Sequence, residues 1–68
     1  MTKREIMKRA IGTLKSMYRV REDFLKEKDF SGVKFINHEI RASIDMLWHI
    51  EVINLDKKRY LEKCFGLI

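Results

Sequence analysis

The sequence predicts an all-α domain: a hairpin of two long antiparallel helices, closed into a small three-helix bundle by a shorter C-terminal helix. Three observations predict it. Apolar residues recur at spacings of three and four over long stretches, proline is absent, and glycine occurs only at positions 12, 32 and 66. A chain of 68 residues, 46% of them apolar, has room for one domain built around one core.

The first helix is read from Lys3 to Lys28, because Ile6, Met7, Ala10, Ile11, Leu14, Met17, Tyr18, Phe24 and Leu25 fall on one helical face. Gly12 sits inside it, at a cost of up to about 1 kcal/mol relative to alanine. A turn is expected at Asp29-Phe30-Ser31-Gly32, with Asp29 or Ser31 capping a second helix from Val33 to about Ile53. Its apolar stripe is Val33, Ile36, Ile40, Ile44 and Leu47. Asn54 or Asp56 then caps a short third helix, Lys57 to Phe65, with Leu61 and Phe65 on one side and Gly66 as its stop.

The second helix has more apolar surface than one neighbour can cover. Beside Ile36, Ile40, Ile44 and Leu47 runs a second stripe of Phe35, Ala42, Met46 and Ile53, and the two together span roughly 200° of the wheel. The second stripe requires a cover: the third helix folded back, a second copy in a homodimer, or another protein. A core this small is marginal alone, so a homodimer or a tight protein partner is expected. Phe24, Phe30, Phe35 and Phe65 fit a core or turn cluster. Trp48, at the edge of the polar sector, either packs on Tyr60 and the third helix or stays exposed as a contact residue.

Charge is unevenly distributed. The formal net charge is +5, yet residues 1–21 carry Lys3, Arg4, Lys8, Arg9, Lys15, Arg19 and Arg21 against Glu5 alone, and the remainder is nearly balanced. On the wheel Arg4, Lys8, Lys15, Arg19 and Lys26 lie within about 60° of one another. Such a row is a solvated face, a track for phosphates or a surface for an acidic protein. Arg21, Glu39 and Glu51 interrupt apolar faces; Arg21 is expected to extend its head to water or to pair with Glu39, which lies at its level in the hairpin.

Nothing in the chain has the spacing of a catalytic or metal site. His38 and His49 are separated by three helical turns, about 16 Å, too far to share an ion. Arg41 and Asp45 read as an i, i+4 pair. Cys64 has no partner for a disulfide or a zinc site and is expected as a small buried hydrophobe in a reducing compartment. No glycine-rich phosphate loop and no activated-nucleophile signature occur, so neither enzyme activity nor a cofactor is expected. No apolar run reaches the roughly 18 residues of a membrane span, and a cytoplasmic, unprocessed protein is expected.

Two functional classes remain. The first is a non-catalytic helical regulator, an adaptor or inhibitor of a larger protein, contacting it through Arg4, Lys8, Lys15, Arg19, Met46 and Trp48. The second is a nucleic-acid-binding protein whose first helix contacts phosphates. A helix-turn-helix is disfavoured, because a recognition helix opening Val33-Lys34-Phe35-Ile36 is too apolar for a groove.

Overall fold

A computed structural model describes residues 1–68 as three helices: α1 (Lys3–Lys26), α2 (Phe30–His49) and α3 (Leu55–Cys64). α1 and α2 pack antiparallel, and α3 packs on α2. Each helix starts on a side-chain cap that accepts a backbone N–H two to three residues into the helix. Thr2 accepts from Glu5, Asp29 from Gly32 and Asn54 from Lys57, at 3.2, 3.0 and 2.8 Å.

The three helices also end alike. In each, the residue after the C-cap is left-handed (Lys28 at φ 58°, Glu51 at 61°, Gly66 at 70°). The following N–H reaches back to the carbonyl five residues before: Asp29 to Phe24, Val52 to Leu47 and Leu67 to Glu62, at 2.8, 3.0 and 2.8 Å. This paired closure satisfies carbonyls that the helix end would otherwise leave open. Only one of the three left-handed positions is glycine.

This explains where the sequence-based boundaries shift. The interhelical turn is Glu27-Lys28-Asp29, not Asp29 to Gly32, so Ser31 and Gly32 belong to the first turn of α2. Lys28 supplies the left-handed residue of the turn. Gly32 serves close approach instead: a Cβ there would lie 2.6 Å from Phe24 Cδ1 across the hairpin. Likewise α2 stops at His49 rather than Ile53, because Glu51 turns the chain, and α3 runs from Leu55 rather than Lys57.

The core is thin. Leu14, Ile40 and Ile44 are fully buried, joined by Ile36, Leu47, Ile53 and Leu61, and Ile6, Met7, Ala10, Ile11, Met17, Phe24 and Phe65 pack around them. The stripe Ile36, Ile40, Ile44 and Leu47 faces inward as its spacing predicts. Phe30 and Phe35 do not join the cluster expected of them; they are 67% and 63% exposed. Phe35 sits about 100° around the helix from Ile36, past the edge that α1 covers.

α3 settles on the polar flank of α2, not over its second apolar stripe. Arg21 Nη1 donates to Asn37 Oδ1 at 2.9 Å and to the Phe65 carbonyl at 2.6 Å, with its guanidinium 4.8 Å from the Tyr18 ring centre. Arg41 donates to the Leu67 carbonyl at 3.1 Å. Arg21 thus meets the negative end of the α3 dipole, and Arg41 holds the chain just past it. Arg21 neither extends into solvent nor pairs with Glu39; Asn37 and the Phe65 carbonyl take its donors. Arg41 does not pair with Asp45 either, because Lys58 of α3 takes that carboxylate at 3.3 Å.

Candidate interaction surfaces

No Cα of α3 comes within 8 Å of α1, so the two flanks of the hairpin differ. On one flank α3 covers α2. On the other, the seam between α1 and α2 is open.

The open seam is a shallow groove. Its floor and walls come from Ile6, Ala10 and Thr13 of α1 and from Ala42, Met46 and Ile50 at the C-terminal half of α2. Met46 is 60% exposed and Ile50 48%. Glu39 is the acidic group on its lining. Of the second apolar stripe, Phe35, Ala42 and Met46 are therefore uncovered within one chain, whereas Ile53, beyond the end of α2, is buried in the core.

The basic row lies on the opposite side of α1. Arg4, Lys8, Lys15 and Arg19 are all exposed. Arg4, Lys8 and Lys15 surround a shallow depression with Met7, Ile11 and Gly12. Lys15 and Arg19 border a second hollow with Tyr18, Cys64 and Phe65. None of the four forms an ion pair; both ion pairs of the protein involve Lys58, with Asp45 and Glu62.

Trp48 stands apart from both surfaces, half-exposed at the end of α2. Its ring lies under Lys58 Nζ at 5.2 Å and is tilted against His49 at 5.1 Å between centres. It packs with α3 through Lys58, whereas Tyr60 remains 58% exposed. The six residues expected to meet a partner are thus all accessible but do not form one surface. Met46 belongs to the groove, the four cations to the far side of α1, and Trp48 to the α2–α3 corner.

Two groups with shifted titration lie on α3. Lys58 holds its proton more tightly than an ordinary lysine, chiefly because Asp45 accepts its hydrogen bond; desolvation opposes this, and Glu62 adds to it. Tyr60 has its phenol raised, chiefly by its hydrogen bond to Cys64 one turn on. Cys64 is exposed rather than buried, since α3 stands away from α1 and leaves this side open. His38 and His49 are exposed on α2.

Sequence reasoning missed the groove's α1 wall and the place of Gly12. Both were present as spacing: Ile6, Ala10 and Thr13 recur at four and three, and Gly12 falls four residues after Lys8 in the basic row. No helix is long and apolar enough to cross a membrane. Comparison with known proteins finds no matching family model, no matching curated protein and no matching solved structure.

Proposed function

We propose that the protein is a non-catalytic binding module, an adaptor or inhibitor that receives an amphipathic helix of a larger protein in the groove between α1 and α2. The observation that carries the reading is the uncovered apolar surface of α2, with Met46 and Ile50 exposed beside Ala10, Thr13 and Ala42 in an open groove. Exposed apolar side chains beside small ones along a groove are a lining that suits a helix laid in it, with anchors one helical turn apart. The groove adjoins the buried core through Leu47, so its walls are held rigidly and little ordering is needed on binding. A second copy of the chain is the competing occupant.

The test uses the full chain as bait in an extract of its source cells, treated with nuclease, beside sedimentation of the purified protein. The reading expects a protein recovered in stoichiometric amount, lost with Met46→Glu and kept with Lys15→Glu. Hot-spot truncations weaken binding by about 2 kcal/mol or more, roughly 30-fold, which such a capture resolves. A capture indifferent to Met46→Glu overturns it. So does a stable homodimer that Met46→Glu dissociates.

A further inference from the structure

Gly12 occupies the middle of a 24-residue helix, where a glycine is costly. Nothing inside the molecule asks for it. Its backbone is not left-handed, and a Cβ built on it meets no atom within 4 Å. This sets it apart from Gly32, which a neighbouring ring excludes, and Gly66, which ends a helix.

Its surroundings outside the molecule are specific. Along one line of α1 run Arg4, Lys8, Gly12, Lys15 and Arg19, a succession of steps of four and three. The row is about 22 Å long at 1.5 Å per residue. Its cations have no acidic partners, and Gly12 lies in the depression between Lys8 and Lys15. The acidic residues of α1 stand near its ends, at Glu5, which bonds Thr2, and at Glu22 and Asp23.

We propose that this face of α1 is a second binding surface, distinct from the groove, which holds the phosphodiester backbone of a nucleic acid. Gly12 is the point where that backbone comes closest to the helix, between two pairs of cations. A phosphate backbone presents charge continuously and needs no apolar bed. An acidic amphipathic helix would need one, and the apolar residues of the depression, Met7 and Ile11, are committed to the core. Contacts from four cations to phosphates carry no base readout, so binding is expected to be independent of sequence.

Fluorescence anisotropy with labelled duplex DNA, single-stranded DNA and single-stranded RNA of equal length tests this and identifies the source of the backbone. Four phosphate contacts give a log–log salt slope of about −3 to −4 on the duplex and about −3 on a single strand. Lys8→Glu with Lys15→Glu should lower affinity at least about tenfold and reduce the slope by about 2. Arg59→Glu with Lys63→Glu, the same change of charge on α3, should change it less than about threefold. Gly12→Leu alters no charge and should weaken binding about fivefold or more by holding the backbone off the helix, whereas Gly12→Ala should raise the melting temperature. Equal losses from the two charge reversals would overturn the proposal, as would unchanged affinity in Gly12→Leu. Competition by polyglutamate as effective as that by DNA would overturn the choice of phosphodiester. Each variant is checked by circular dichroism, and Met46→Glu separates a failure of this surface from a failure of the groove.

Discussion

Arg21 is the side chain whose removal should cost this fold most for its polar contacts. It lies half-buried on α1, donates to Asn37 of α2 and to the Phe65 carbonyl at the end of α3, and covers the Tyr18 ring. Replacing it with methionine keeps most of the aliphatic stem and removes the donors. A hydrogen bond from a charged donor is worth about 1.5–3 kcal/mol and a partly exposed cation–π contact about 0.5–1 kcal/mol. The two bonds share one nitrogen and are not additive, so the expected loss is about 2–4 kcal/mol. A domain of this length has a total stability of roughly 3–10 kcal/mol, at about 0.05–0.15 kcal/mol per residue. Urea unfolding followed by circular dichroism measures the loss, and Trp48 fluorescence follows α3, whose Lys58 lies over the indole. Amides of Leu61 to Leu67 should exchange faster before the hairpin does, because the clamp joins α3 to the other two helices. A loss below about 0.5 kcal/mol, the scale of an ordinary surface substitution, would refute the clamp.

Lys28→Gly and Glu51→Gly each remove the strain of a left-handed residue with a Cβ, and each should stabilise the fold by up to about 1 kcal/mol in urea unfolding, offset in part by the greater freedom of the unfolded chain. Gly32→Ala should destabilise by about 1–2 kcal/mol despite its better helix propensity, because the new methyl meets the Phe24 ring, and Phe24→Leu in the same chain should recover part of the loss. Stability should fall at alkaline pH. Lys58 and Tyr60 both have raised folded-state pKa values, so the stability they contribute is complete below their ordinary values of 10.5 and 10.0 and is lost as pH rises through the folded ones. An urea midpoint that stays constant from pH 9 to well above those values would contradict this, and Asp45→Asn should weaken the Lys58 part.

The helices and their inward faces were legible because each depends on local spacing. Ile36, Ile40, Ile44 and Leu47 mark a stripe that any neighbour must cover, and Asp29 and Asn54 are side chains suited to capping. The turn was misplaced because glycine is the usual left-handed residue and Lys28 gives no such signal, while Gly32 looks the same in sequence whether it turns the chain or admits a ring. The side chosen by α3 was not legible. It is set by Arg21 and Arg41 bonding to the carbonyls of Phe65 and Leu67, groups that every residue possesses and no residue type announces. For the candidate surfaces, the exposure of Arg4, Lys8, Lys15, Arg19 and Met46 could be read from the wheel. Their division between two faces needed the position of α3.

That position is also why so small a chain keeps two open faces. A third helix bringing a broad apolar face would gain most by closing the groove beside Met46. α3 brings little beyond Leu61, and the rest of its approach is ionic or polar: Lys58 between Asp45 and Glu62, and two guanidinium groups at its C-terminal carbonyls. Those groups fit the flank of α2 that holds Asn37, Arg41 and Asp45, and on the apolar flank each would be desolvated without a partner. Polar matching therefore decides the docking side, and the apolar stripe stays open as a consequence rather than by a defect of packing. The basic row remains open because neither ion pair of the protein reaches it: Asp45 and Glu62 are held by Lys58. Two surfaces of different chemistry thus stand on opposite sides of one helix.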